Sequence, residues 1–423
     1  MKEVYSPLLK EAYYEMRLPS GFQIFLYPKP GIYNKGAFLA VGYGSLYERF
    51  VGADGNTYVT PPGTAHFLEH KLFENESGDL FESMARFGAD VNAYTALDHT
   101  CYYFTAPDHF YESLGHLLQL PILRAYTEAG VASERSIIAS EIDMYLDSLD
   151  YRSYRTALSA LYPKHPIGQD IAGTKESIES ITKETLEVVM DQFYVPANMF
   201  LFVIGDFSPT EMDRLLESLP PFYHEARPRA KVLIERDESV PDETLLVEHD
   251  ETPLAVFDYL LKLEPIGDPV LAFRRYIKYN LILDVLFGKG SAFFEDTYRR
   301  GILTDLAVEY HYGPGYRYIS FSGEGRDPTG FRTKLDDLLA GFHQTGVSME
   351  EVERIKRKTM GQFLMGFNSI NHIAHTFIAF YYRQARLFDF LDIVESMALD
   401  DFMNLFDGSY VFSTIEEESA WTR

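Results

Sequence analysis

The sequence predicts an α/β chain of two domains, and three observations predict it. A chain of 423 residues with 46% hydrophobic composition buries a sizeable core and is too long for one ordinary domain. Strand-like and helix-like patterns alternate along its whole length. A short motif recurs about half a chain apart. Leu72-Phe73, Leu80-Phe81-Glu82 and Gly88 match Leu286-Phe287, Phe293-Phe294-Glu295 and Gly301, at an offset of 213 or 214 residues.

Taken in order, "GFQIFLYPKPG" from Gly21 and "KGAFLAVGYGSLYE" from Lys35 read as strands separated by a Gly/Pro turn. Thr64 to about Glu74 reads as a helix, and "SGDLFESMARFG" as a second helix stopped at Gly88. "ADVNAYTALDHTCYYFTAP" reads as two strands of a hairpin. Helical patterns follow at His109–Leu123 and Ser133–Leu149, and "NMFLFVIGDFSP" is a buried strand that closes this half. Pro220, Pro221, Pro228 and Pro241 mark a linker. The expected division is residues 1–219, a linker at 220–244, and residues 245–423.

Composition excludes several functions. With 38 basic against 63 acidic residues the formal net charge is -25, so a nucleic-acid backbone is not the expected partner. The single cysteine, Cys101, rules out an intramolecular disulfide and a cysteine-based zinc site, and reads as a small buried strand residue. No signal-type apolar run and no stretch of membrane-spanning length is found. The expected location is the cytoplasm.

Chemistry concentrates in "TAHFLEHKLFE", residues 64–74. Residues four apart share a helix face, so His66 and His70 can turn both rings to one ion. Glu69 lies beside them, where it can reach a metal-bound water and act as general base. A chance grouping on a solvated helix is the alternative. Against it, Phe67, Leu68, Leu72 and Phe73 make the helix a packed one, and buried histidines beside a carboxylate need a partner. A zinc site needs a third ligand. "SERSIIASEIDMYLDSLD" offers Glu134 and Glu141, seven residues apart on one face, with Ile137, Ile138, Ile142 and Tyr145 marking its packed side. Glu141 is the expected ligand and Glu134 the expected orienting partner of a histidine; periodicity alone does not choose between them. At an offset of 214, His66, Glu69 and His70 correspond to Asn280, Leu283 and Asp284. Any metal site therefore belongs to the first half.

The order His-x-x-Glu-His, followed by "ADVNAYTALDHTCYYF" and "SERSIIASEIDMY", resembles the inverzincins, the pitrilysin/insulinase-type zinc peptidases. "RLPSGFQIFLYPKP" and "HPIGQDIAGTKESI" extend the resemblance to essentially the whole chain. It is strongest to short bacterial members and to the catalytic subunit of the mitochondrial processing peptidase. The resemblance implies zinc held by His66, His70 and Glu141, with Glu69 as general base. It implies that Glu134 is the second glutamate of the catalytic set. It implies that Asn92 and Ala93 lie on an edge strand to which the substrate peptide adds. The implied fold is two homologous α/β (α+β) domains. Each is a mostly antiparallel sheet covered by helices, and together they form half of a clam-like chamber.

The family pattern also places an Arg, and a Tyr seven residues later, in the second half. Here those positions hold Thr297 and Thr304, with Arg299, Arg300 and Tyr298 out of register. The implied enzyme is a zinc endopeptidase working with a paralogue that lacks the zinc motif and carries the Arg/Tyr pair. A homodimer is the alternative assembly. A non-catalytic structural or peptide-binding subunit is the alternative function.

Overall fold

The computed structural model describes residues 1–75, 78–124, 126–241, 245–398, 406 and 409–416. Residues 242–244 of the expected linker and 417–423 at the end of the expected second domain lie outside the described residues. By spatial proximity the chain forms two units. One comprises Met1–Ile142, Asp170–Leu233 and Gly366–Tyr382. The other comprises Asp143–Gln169, Ile234–Met365 and Arg383–Arg423. Each unit thus includes a segment drawn from the other half of the sequence.

The first unit is built on seven strands: β1 (Lys2–Ser6), β2 (Glu11–Arg17), β3 (Gln23–Pro28), β4 (Lys35–Val41), β5 (Asp90–Thr95), β6 (Thr100–Ala106) and β7 (Met199–Gly205). Their order is β1-β2-β3-β7-β4-β6-β5, antiparallel except for the β3/β7 pair. Strand β7, "MFLFVIG", is buried throughout. Alternate side chains on a strand face opposite ways, so such a strand needs cover on both sides. Leu201 and Val203 join the main core with Leu39, Val41, Tyr102 and Phe104. Phe200 and Phe202 point the other way, onto Tyr381 and Phe377 at ring separations of 4.3 and 4.5 Å. That is why the helix Ile370–Tyr382 belongs to this unit. Cys101 on β6 is buried, as its small size in a strand predicts.

The second unit carries a five-stranded sheet: β8 (Leu245–His249), β9 (Ala255–Lys262), β10 (Leu303–Gly313), β11 (Tyr316–Gly325) and β12 (Ser409–Glu416), in the order β8-β12-β9-β11-β10. Only β8 and β12 run parallel. Helix Leu149–Leu161 packs on β9 and β12, burying Ala157, Leu158 and Leu161. The mixed α/β architecture read from the sequence is thus present as two sheet-bearing units.

Two helix expectations need correction. The helix expected over His109–Leu123 spans Phe110–Leu117. Pro121 lacks an N–H and clashes with the carbonyl four residues back, so the helix cannot continue through it. The helix expected over Ser133–Leu149 spans Glu128–Leu146, and a new helix starts at Leu149. Ser148 is extended and accepts a hydrogen bond from Tyr151 N, an N-cap that divides the pattern in two. The repeated glycines, by contrast, match in conformation. Gly88 and Gly301 have φ of 72° and 70°, the left-handed region that glycine enters at no steric cost.

Asp258 on β9 is buried, and the Ser322 hydroxyl donates to its Oδ1 at 2.5 Å. Burial pushes its carboxyl up to about 6, with the Ser322 hydrogen bond pulling the other way. The folded value exceeds the unfolded one, about 3.9. The fold therefore favours the protonated acid, and the stability this contributes is complete below about pH 4 and lost as pH rises through about 6. Asp258→Asn should accordingly stabilise the second unit at pH 8, by at most about 2–3 kcal/mol, and change little at pH 4. Thermal unfolding at the two pH values checks this; equal shifts at both would contradict it.

Candidate metal centre

The motif helix α1 (Thr64–Leu72) starts from Gly63, whose φ is 89°. A Cβ there would lie 2.5 Å from Ala172 O, so the close approach requires glycine. Phe67, Leu68 and Leu72 sink into the main core. His66, Glu69 and His70 lie on the rest of the helix surface. The second helix, α2 (Glu128–Leu146), buries Val131, Glu134, Ile138 and Ile142. Ile137, expected on the packed side, is exposed, because the buried stripe runs through Ile138 instead.

These two helices bring together the three expected ligands. Nε2 of His66 lies 3.7 Å from Glu141 Oε1, and Nε2 of His70 lies 3.7 Å from Glu141 Oε2. One donor atom from each residue falls within 4.8 Å of the others. Gaps of 3.7 Å are too long for hydrogen bonds. A tetrahedral ion with bonds of 2.0–2.1 Å holds its ligand atoms about 3.4 Å apart, and the three side chains are close enough together to hold a metal ion. Among the described residues no other group of three such side chains is so placed. In the second unit, Leu283 is buried and Asp284 pairs with Lys358.

Protonation differs between the two histidines. Burial pushes His66 down to about 4, and the neighbouring His70 adds to this, so its lone pair is available to a metal at neutral pH. Burial lowers His70 as well, but the hydrogen bond and charge of Glu134 together with the charges of Glu69 and Glu141 outweigh it and raise the ring. His70 Nδ1 lies 3.0 Å from Glu134 Oε1. That contact places the proton on Nδ1 and leaves Nε2 turned to Glu141. Burial raises Glu69, and the Thr95 hydrogen bond tempers the rise. A carboxyl held up in this way holds a proton more firmly than an exposed one.

Two residues that the sequence reading passed over complete the arrangement. Thr95, at the end of β5, donates its hydroxyl to Glu69 Oε2 at 2.6 Å. Ala93 and Thr95 share one face of β5 by strand alternation, and that spacing was the available signal. Lys71 has a fully buried side chain, with Nζ 3.3 Å from Glu134 Oε2 and 3.1 Å from Gly130 O. A lysine four residues after Phe67 and three after Leu68 falls on the apolar stripe, which marks it as unusual. Asn92 and Ala93 lie on β5, which among the described residues pairs only with β6 and so forms the edge of its sheet.

In the second unit, the Thr297 hydroxyl is buried and donates to Phe293 O. Thr304 donates to Glu324 O, and Arg299 and Arg300 pair with Glu295 and Asp296 one helical turn away.

Comparison with known proteins places this geometry in context. Residues 37–175 match the family described as insulinase (peptidase family M16), and residues 180–359 match the peptidase M16 inactive domain. The chain is 31% identical to the uncharacterized zinc protease YmfH of Bacillus subtilis, over 94% of each chain. It is 26% identical to the uncharacterized zinc protease YmxG of the same species, over 83% of this chain and 84% of that one. A solved structure of an M16-like peptidase from Alicyclobacillus acidocaldarius superposes with a TM-score of 0.91 at 29% identity, covering 98% of this chain and 100% of that one. A protease from Helicobacter pylori shares the fold, with a TM-score of 0.79 at 17% identity, over 96% and 99% of the two chains. Among the described residues no helix is long and apolar enough to cross a membrane.

The protein should bind zinc stoichiometrically. His70→Ala should reduce zinc content severely with the fold retained, measured by elemental analysis beside circular dichroism. Unchanged zinc would remove His70 from the ligand set.

Proposed function

Because the chain belongs to peptidase family M16, we propose that it is a zinc endopeptidase whose metal is held by His66, His70 and Glu141. The convergence of their donor atoms, with Glu69 on the same helix, is the observation that carries this reading. A bound zinc would polarise the scissile carbonyl and lower the pKa of its water. Glu69 accepts the proton of the attacking water and delivers it to the leaving amine. Thr95 holds the Glu69 carboxylate by one oxygen, so the other remains available for the proton. Glu134 keeps the Nδ1 proton of His70 in place.

The substrate is an extended peptide or unfolded segment. β5 lies at the edge of its sheet, and a peptide added there as a further strand would lie along Asn92 and Ala93, competing with the Asn92 side chain for the Ala93 N–H. Thr95 ties the end of that strand to Glu69, so strand and base share one frame. The second unit supplies no Arg/Tyr clamp at the expected positions, since Thr297 is sealed inside its helix. A paralogous partner chain that carries the pair and lacks the zinc motif completes the enzyme.

Two experiments test this. In the active assembly, Glu69→Gln should keep its zinc and lose about 10²–10⁴-fold in kcat; normal turnover would refute the assigned base. Purified alone, the chain should hydrolyse peptides weakly, and addition of the paralogue should restore the rate. Strong activity as a homodimer would remove the partner from the proposal.

A further inference from the structure

The packing of α1 sets which side of the helix faces the core, and its directional contacts set the finer rotation. Phe67, Leu68 and Leu72 are held by apolar contact, which tolerates small rotations because no single contact is directional. The two histidines need one rotation, because both Nε2 atoms must meet Glu141. His66 contributes no directional contact of its own toward this: its Nδ1 is buried without a hydrogen-bond partner. The directional contacts between this face of α1 and α2 gather on one carboxylate. Glu134, with a side chain 7% exposed, gives Oε1 to His70 and Oε2 to Lys71, two consecutive residues of α1. Consecutive residues point about 100° apart around a helix, so a carboxylate bonded to both is a two-point bracket on the helix rotation. Lys71 also bonds Gly130 O in the first turn of α2, tying the bracket to the backbone.

Such a lysine is costly. Its side chain is 0% exposed, and lysine is almost never fully buried unless paired. Apolar residues often replace a buried ion pair with no loss of stability, so stability alone does not account for this pair. From these contacts we infer that Lys71 is a positioning residue for the metal centre. It neutralises and anchors Glu134, and through Glu134 it sets the ring of His70 and the rotation that presents both histidines.

The inference rests on the zinc reading, and chelator competition for zinc on the isolated full chain tests the two separately. A wild-type chain that fails to bind zinc refutes that reading first. Given zinc binding, Lys71→Met should weaken zinc affinity about 10–100-fold, the range for outer partners of metal ligands. Glu134→Gln should weaken it similarly. The double variant Lys71→Met/Glu134→Gln should be no weaker than Glu134→Gln alone, because Lys71 acts through Glu134. Cobalt-substituted Lys71→Met should also show an altered visible spectrum. Unchanged zinc affinity in Lys71→Met, or additive losses in the double variant, would overturn the proposal. If Lys71→Met fails to fold, a folded double variant with the zinc affinity of Glu134→Gln supports the charge pairing. If the double variant also fails to fold, or folds and binds zinc more weakly than Glu134→Gln, Lys71 is a packing residue and the proposal falls.

Discussion

Every group in the candidate centre depends on how one nine-residue helix, α1, is rotated about its axis. Each residue advances about 100°, so a slip of one residue would carry His66 and His70 away from Glu141 and put Glu69 out of reach of Thr95. The helix is held from two sides. On the side of the β5–β6 hairpin, the Thr95 hydroxyl grips Glu69. On the side of α2, Glu134 grips His70 and Lys71. Between these grips the apolar residues fill the core and exclude water, which strengthens both sets of polar contacts.

The hairpin can serve as a reference because it is itself tightly fixed. Thr100 on β6 donates to Tyr43 O at 2.9 Å, and the Tyr102 and Tyr194 hydroxyls meet at 2.8 Å in the core. Strand β6 lies against β4, and β4 against the wholly buried β7. The far face of β7 is covered by Ile370–Tyr382. The sheet behind the candidate centre is therefore covered by a helix from the second half of the sequence, and the first half does not complete its own core.

That dependence explains what could be read in advance. The run "MFLFVIG" announces a strand buried on both faces, but no local pattern says which segment covers the second face. Segment Ile370–Tyr382 is apolar over most of its circumference, so its pattern does not name a partner. The capping serine at 148 and the proline at 121 were visible as residue types, yet each competed with a longer helical period around it. In the motif, i,i+4 spacing was enough to pair His66 with His70. The spacing of seven between Glu134 and Glu141 left their roles open. Burial separates them: Glu134 lies within the apolar stripe of α2 and meets Nδ1, whereas Glu141 meets both Nε2 atoms. Lys71 escaped notice because a lysine is assumed to reach solvent, and only its partner across the helix pair gives it meaning.

The two units also divide the chemistry unequally, and physical reasons favour that division. Hydrolysis requires a nucleophile to be generated and the charge of the transition state to be met, and these can be supplied by separate groups. The first unit holds three convergent donors, a carboxylate tethered by Thr95, and an edge strand that carries Thr95. In the second unit the positions expected to carry an Arg and a Tyr, Thr297 and Thr304, make structural hydrogen bonds. The Thr297 hydroxyl closes onto its own helix, and the nearby arginines are neutralised within one turn. A site so complete on one side gains little from a second weak copy of itself. Were the proposed partner chain to bring a cation and a hydroxyl, the candidate centre would gain what the second unit does not offer at Thr297 and Thr304.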